Sequence, residues 1–189
     1  MLVEITALIL GYLLGSFPTA YIIGRWRKGV DIRDVGVGNM GAANVFREIG
    51  PWEGILCWAG DVAKGSAAIL VAQALHLTQP WVLGVGAAAM LGHSFPLYIG
   101  FRGGKGGSTT MGIFLVLTPI PMLITFAALA IPYLFVHRIF IAMCIVAPFL
   151  PLLIWLLEGS LILILYALGL LLFMGLRNLP IRRLTMSKS

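Results

Sequence analysis

Charge is what this sequence has least of. Of its 189 residues only 11% are Asp, Glu, Lys or Arg, while 60% are hydrophobic and the mean hydropathy is +1.00. A water-soluble domain carries about a quarter charged residues, so an aqueous globule is excluded and the chain belongs in lipid. Cysteine is scarce too. Cys57 and Cys144 make no disulfide framework, and both lie in apolar stretches where they read as small packing residues. With only three His, the chain has too few ligands for a multi-metal site, and neither a metal nor a cofactor is expected. Repeats, linkers and low-complexity tracts are also missing, which leaves one transmembrane domain over residues 1–189.

What is present is a series of apolar runs. The first, Val3 to Ile23, has no basic residue before it and Arg25, Arg27 and Lys28 after it, the pattern of a retained helix rather than a cleaved leader. Others extend from Gly54 to Leu75, Pro80 to Ile99, Met111 to Val136, Ile139 to Leu157 and Leu161 to Leu176. About 20 residues at 1.5 Å each cross roughly 30 Å of hydrocarbon, so each run is one candidate span. Taken one span per run, this parity strands Arg138, Arg177, Arg182, Arg183 and Lys188 outside, against the preference of Lys and Arg for the cytoplasmic face. A break at Thr118, Pro119, Ile120 and Pro121 repairs it.

The predicted fold is therefore an all-α integral membrane protein, a seven-transmembrane-helix bundle with its N-terminus outside and its C-terminus cytoplasmic. Its spans are about 3–23, 54–75, 80–99, 108–118, 120–136, 139–157 and 160–176. Every Lys and Arg except Lys64 then faces the cytoplasm, and the outer connections near His76 to Gln79, Pro119 and Glu158 carry none. The cost is two short helices around the break, which need shelter from protein or a thinned bilayer.

Polar residues gather in three places. The first runs from Asp31 through Arg33, Gly36, Val37, Gly38, Asn39, Met40 and Gly41 to Asn44. Its glycine turn leads into Asn39, the expected N-cap of a helix continuing through Phe46 and Ile49. Free N–H groups at such a helix start, beside Arg33 and Arg47, suit an anion, and a flexible loop with cytoplasmic arginines is the alternative. A formal G-x-G-x-x-G from Gly36 to Gly41, with Asp61 twenty residues on, is not a dinucleotide site, because Asp61 falls inside an apolar span.

The second place, Gly60 to Gly65, embeds Asp61 and Lys64 in a span, three residues apart on one helical face. Intramembrane charges are costly, roughly 2.5 to 3.5 kcal/mol each at mid-span, so the default is a functional site, with a helix-packing ion pair as the alternative. Lys64 near the cytoplasmic mouth would face a bound anion while Asp61 holds it. The third place joins Gly92, His93, Ser94 and Pro96 to Phe101, Arg102, Gly103, Gly104, Lys105, Gly106, Gly107 and Ser108. It is a second glycine loop with a cation opening a helix, Ser108 being the expected cap and His93 a donor or base. The Walker spacing is not met, since three residues separate Gly100 from Gly104 and Gly106 follows Lys105. Two phosphate-suited loops and an intramembrane Lys on one side of a lipid-embedded bundle imply an enzyme handling phosphorylated substrates at the membrane surface.

These segments, in this order, resemble the signature motifs of the bacterial acyl-phosphate:glycerol-3-phosphate acyltransferase family, PlsY. The similar residues are Gly15 and Ser16; Asp31, Ile32, Arg33, Gly36, Gly38, Asn39, Gly41 and Asn44; Asp61, Lys64 and Gly65; then Gly92, His93, Pro96, Phe101 and Gly103 to Gly106. The resemblance implies a multi-pass protein of the bacterial inner membrane with its active site facing the cytoplasm. It implies transfer of a fatty acyl group from acyl phosphate to the 1-hydroxyl of sn-glycerol 3-phosphate, giving lysophosphatidic acid and phosphate. The partners implied are those two substrates and the bilayer, with no nucleic acid, and a monomer is compatible with it.

Both substrates carry phosphate, so two anion sites are required. On this reading Arg33, Asn39 and Lys105 hold the donor phosphate and carbonyl. The acceptor phosphate lies near Lys64 and the Gly103 to Gly106 loop, with Gly36, Gly38, Gly41, Asn44, Asp61, Gly65 and Ser108 completing the binding residues. His93 or the leaving phosphate accepts the proton. The His-x4-Asp arrangement of the acyl-CoA-dependent enzymes is absent, since Trp81, Tyr98 and Ala142 stand five positions after His76, His93 and His137. Departures from the family pattern are Val37 for Ser, Ala43 for Thr, Gly107 and Ser108 for Val and Ala, and Pro180 for Asn. They motivate an alternative, a divergent paralogue acylating another phosphorylated or polyol acceptor. An organophosphate transporter is a third class, although the repeated halves usual in transporters are absent.

Overall fold

The computed structural model describes residues 1–178, the Phe140 side chain excepted, and every regular element among them is helical. Pro180, Arg182, Arg183 and Lys188 lie outside the described residues. Helices α1 (Leu2–Ser16) and α2 (Thr19–Lys28) make up the first apolar span, and a short α3 (Ala42–Glu48) leads into α4 (Pro51–Ala74) and α5 (Gln79–Ser94). A single 3₁₀ turn (Leu97–Ile99) precedes α6 (Gly107–Leu117), α7 (Pro119–Ala128) and α8 (Ala130–Val136). The described chain closes with α9 (Ile139–Val146), α10 (Phe149–Glu158) and α11 (Leu161–Asn178).

Six stretches are long and apolar enough to cross a membrane: Leu2–Lys28, Pro51–Ala74, Gln79–Ile99, Pro119–Val136, Ile141–Glu158 and Leu161–Asn178. The segment expected as a span over 108–118 is α6, whose 11 residues reach only about 16 Å. The break falls where the prolines place it. Thr118, at φ −141° and ψ 72°, ends α6 and caps α7. One cavity is lined by Gly107 and Thr110 from the start of α6 and by Phe126 and Leu129 from the far end of α7. A continuous helix would hold Gly107 and Leu129 about 33 Å apart, so the chain folds back at Thr118. The turn is fully buried at Thr118, and the Met122 N–H donates to the Thr118 carbonyl at 3.0 Å, which keeps its backbone satisfied away from water. The second helix of the pair is not short as expected, because α7 and α8 continue across Leu129 to span 18 residues.

Three other local expectations are corrected. The first run is not unbroken to Ile23, since Pro18 lacks the N–H that would continue α1 and the chain kinks at Phe17. Gly41, not Asn39, is the N-cap of α3, and Gly106, not Ser108, is the N-cap of α6. Cys57 is buried as a packing residue, but Cys144 is exposed on the outer surface of the bundle.

With lipid outside, helices gain nothing from hiding apolar surface from each other and associate through close backbone approach at small residues. Gly11 and Gly15 of α1 lie against α5, where a Cβ on Gly11 would come within 2.8 Å of the Val85 carbonyl and one on Gly15 would overlap the Ala89 carbonyl. Between α4 and α6, Gly65 faces the Thr109 carbonyl, Gly112 faces that of Val62, and Ser66 Oγ donates to the Gly112 carbonyl at 2.9 Å. Ile69, Val85, Met90, Ile113 and Phe114 fill the core between these contacts. Replacing Gly65 with Val forces α4 and α6 apart, and the loss expected from overpacking is about 1–3 kcal/mol. Thermal unfolding in detergent reads it against Gly169→Val, whose added side chain meets open space and leaves the midpoint in place.

Candidate functional site

The first glycine segment is tied down by its own polar residues. Asp31 grips Arg33 with both oxygens, Nε to Oδ1 at 2.9 Å and Nη2 to Oδ2 at 2.6 Å, while Arg33 Nη1 donates to the Ile99 carbonyl at 2.8 Å. The hydrogen bond from Arg33 holds the Asp31 carboxyl below the usual carboxylate range, and the same bond raises the Arg33 guanidinium. The guanidinium also lies over the Tyr21 ring, 5.3 Å from its centre. Asn44 is 1% exposed and spends its amide within the segment. It donates to the Ile32 and Val35 carbonyls at 3.1 Å each and accepts from the Val37 N–H at 3.1 Å. A direct ligand contact from Asn44 is therefore corrected to a loop-shaping role. Gly36 and Gly38 adopt φ +60° and +65°, and a Cβ on Gly36 would lie 2.5 Å from both Asn44 Oδ1 and Glu48 Oε1. Gly41 sits beneath the Asn39 amide, where a Cβ would come within 2.8 Å of Nδ2.

Asp61 and Lys64 pair as their spacing predicts, Nζ to Oδ1 at 2.7 Å, with side chains 2% and 8% exposed. Lys64 Nζ also donates to the Phe17 carbonyl at 3.1 Å, a group freed by the break in the first span. His93 is buried beside them, its Nδ1 3.7 Å from the same Asp61 oxygen and without a hydrogen-bond partner. Asp61, Lys64 and His93 front a narrow cleft whose other walls are residues 16–20, Met40 and Pro96.

The third segment closes over this group. The Gly104 N–H donates to the His93 carbonyl at 3.1 Å and the Gly103 N–H to the Ser94 carbonyl at 3.2 Å. A Cβ on Gly104 would collide with His93 Nε2 and lie 2.8 Å from the Met40 carbonyl, so only glycine lets the first and third segments meet there. Arg177 straps the arrangement from α11, donating to the carbonyls of Ser94 at 3.2 Å and Gly104 at 3.4 Å with its guanidinium 4.6 Å from the Phe95 ring centre. Lys105 is half-buried between Gly104 and Gly106, and Ser108 is half-buried in the first turn of α6. Gly106 turns at φ +90° against Met90.

Among the predicted residues, Asp61, Lys64 and His93 come together in one cleft, Gly104 packs on the His93 ring, and the Arg33 clasp joins the first segment to the third. Gly65 instead serves the packing of α4 on α6. Of the cleft wall, Ser16 entered the sequence reading only as a motif residue of the resemblance, and Thr19 carried no role. Pro18 inside an apolar run was the signal for them, since a broken intramembrane helix exposes polar groups that line a site.

Beside the loop lies a second cavity, about 500 Å³, running from Gly107, Thr110 and Met174 to Met122 and Leu150. Its two hydroxyls are already engaged, Thr110 with the sulfurs of Met90 at 3.5 Å and Met174 at 3.6 Å, and Thr125 with the Pro121 carbonyl at 2.7 Å. Such a cavity suits an apolar chain.

A family model described as glycerol-3-phosphate acyltransferase matches residues 5–185. A protein of that name from Geobacter sulfurreducens is 45% identical over 123 residues, covering 65% of this chain and 63% of that protein. One from Geobacter metallireducens is 46% identical over 124 residues, covering 66% and 63%. The match thus spans just under two thirds of these relatives' length. The crystal structure of PlsY (YgiH), an integral membrane glycerol 3-phosphate acyltransferase, is similar in its glycerol 3-phosphate form with a TM-score of 0.85 at 29% identity, over 92% of this chain and 87% of that one. Its lysophosphatidic acid form gives 0.83 at 28% identity, over the same shares.

The Asp31 clasp carries a pH signature. A carboxyl depressed by folding stabilises above its unfolded pKa, and that contribution is lost as pH falls through the folded value. Amide exchange across residues 31–41 is therefore expected to quicken below the ordinary carboxylate range. Asp31→Asn should exchange fast already at neutral pH and show no further acid step.

Proposed function

The chain belongs to the glycerol-3-phosphate acyltransferase family, and from that membership we propose that it moves a fatty acyl group from acyl phosphate to the 1-hydroxyl of glycerol 3-phosphate. The observation that carries this reading is the junction of two unlike compartments: a buried polar cleft holding Asp61, Lys64 and His93, and an apolar cavity beginning at Gly107, joined by the glycine segment between them. An acyl phosphate is such a molecule, a charged head on a long apolar chain. The likeness to PlsY in a glycerol 3-phosphate form and a lysophosphatidic acid form supports the acceptor and the product.

In the proposed reaction the acceptor hydroxyl oxygen attacks the acyl carbonyl carbon. The bond from that carbon to the phosphate oxygen breaks, and phosphate leaves with the electron pair. The mixed anhydride is already activated, so alignment and charge stabilisation suffice. His93 takes the hydroxyl proton, with the Asp61 carboxylate behind the ring to stabilise the imidazolium. Lys105, Arg33 and Asn39 face the donor phosphate. Lys64 and the Gly103 to Gly106 loop lie toward the acceptor, Ser108 sits in the first turn of the helix beyond, and Gly36, Gly38 and Gly41 shape the opposite wall. The Met-lined cavity takes the acyl chain, because thioethers repack around chains of different shape. Charge placement supports seven crossings with the N-terminus outside and this cleft facing the cytoplasm of a bacterial inner membrane, α6 and α7 forming the sheltered hairpin. Val37, 65% exposed and without a hydroxyl on the glycine loop, favours one second reading, an acceptor other than glycerol 3-phosphate.

Purified protein given palmitoyl phosphate is expected to release phosphate only when glycerol 3-phosphate is added, with lysophosphatidic acid detected by mass. Donor-only or absent turnover would remove the reading, and turnover with another polyol phosphate alone would select the second. His93→Ala should lower single-turnover acyl transfer about 10²–10⁴-fold, and an undiminished rate would pass the base role to the leaving phosphate.

A further inference from the structure

We propose that the cleft against the broken first span is a subsite for the acceptor hydroxyl that is not acylated, with Ser16 and Thr19 as its reading residues. The inference rests on the acyltransferase reading and concerns which acceptor is chosen. Ser16 is fully buried at the end of α1, and its Oγ has no hydrogen-bond partner among the described residues. Thr19 Oγ1, in the first turn of α2, is equally enclosed and unpartnered. Both residues line the cleft that Asp61, Lys64 and His93 share. Their placement is enforced from two sides: Gly92 of α5 packs over the turn from Tyr12 to Ser16, and Gly60 of α4 leaves room for Thr19, whose Cγ2 would lie 2.7 Å from a Cβ there.

The chemistry of the group fits an alcohol better than an anion. Asp61 and Lys64 neutralise each other, and the carboxylate itself faces the cleft and repels a phosphate. Lys64 has three N–H donors, of which the Asp61 carboxylate and the Phe17 carbonyl take two. What remains is one ammonium N–H, two hydroxyls and a carboxylate edge, a mixed set of donors and acceptors around a narrow space that admits a group the size of one hydroxyl. A hydroxyl both donates and accepts, and it completes such a set where a methylene leaves every member unpaired. A second hydroxyl held here places its neighbour on the same three-carbon backbone beside His93.

The test compares sn-glycerol 3-phosphate with 3-hydroxypropyl phosphate, the same acceptor without its middle hydroxyl, using palmitoyl phosphate as donor. Wild-type protein, Ser16→Ala, Thr19→Val and Thr19→Ser are each assayed for kcat/KM with both acceptors and for thermal unfolding. Wild type is expected to prefer the glycerol compound at least about tenfold, as sites built to bond a hydroxyl do. Ser16→Ala and Thr19→Val should each shrink that preference about tenfold, and Thr19→Ser should keep it. A wild type that does not discriminate, or variants that discriminate as wild type does, would overturn the subsite while leaving the acyltransferase reading intact. Should Ser16→Ala fail to fold, the Thr19 pair decides alone, since its two variants differ in whether they retain the hydroxyl. A wild type inactive with both acceptors would overturn the acyltransferase reading and the subsite together.

Discussion

Two opposite charges inside a membrane span must be enclosed, and the rest of this structure is arranged around that requirement. Asp61 and Lys64 lie on one face of α4 with almost no exposure, so neither lipid nor water relieves them. Pairing removes most of the penalty but leaves further hydrogen-bonding capacity to be met. The kink at Phe17 supplies a carbonyl to Lys64, and His93 comes up behind Asp61. The close seams of α4 on α6 and α1 on α5 bring these elements near enough, and both depend on glycines whose Cβ would strike a backbone carbonyl. Packing and chemistry therefore share one cause.

The glycine segments around the pair are not slack. Each is fastened by side chains: Asn44 within the first, Arg33 from the first to the Ile99 carbonyl, Arg177 from α11 across the third. Tyr12 of α1 adds a bond to the Phe95 carbonyl at 2.7 Å, where the Arg177 guanidinium also stacks. Glycine gives these segments the positive φ and close approach they need, and the fasteners remove the freedom that glycine brings. An arrangement fixed before substrate arrives spends less binding energy on ordering itself, and alignment is what an already activated acyl donor requires. The same logic explains why Asn44 and Gly65, residues that look like ligand contacts in the sequence, act through the shape of the cleft instead.

Membership of the acyltransferase family and the placement of these residues point the same way. A transfer between a water-soluble phosphate ester and a lipid-borne acyl chain needs a polar compartment and an apolar one within bonding distance of a shared carbonyl. Gly104 touches His93 on one side, and three residues later Gly107 lines the apolar cavity. The hairpin at Thr118 creates that cavity by turning α7 back beside α6, so the paired prolines shape the compartment proposed for the acyl chain.

Much was legible in the sequence because it is set locally. Hydropathy and charge placement fixed the helical membrane class and the break near Pro119; three-residue spacing fixed the Asp61–Lys64 pair; the motifs located the glycine segments and His93. These follow from helical periodicity and from the cost of charge in lipid, which act over a turn or a span. Helix caps were misread by two positions because Gly41 and Gly106 reach the cap conformation without a side-chain bond, leaving Asn39 and Ser108 without that role. Only the tertiary structure decided that Ser16 and Thr19 face the same cleft as Asp61, Lys64 and His93, more than 40 positions later, that Arg177 straps the loop beside His93, and that Asn44 is consumed within its own segment. Those are contacts between distant parts of the chain, and they depend on which backbones approach closely enough to touch, a matter of packed volume that no local pattern of residues encodes.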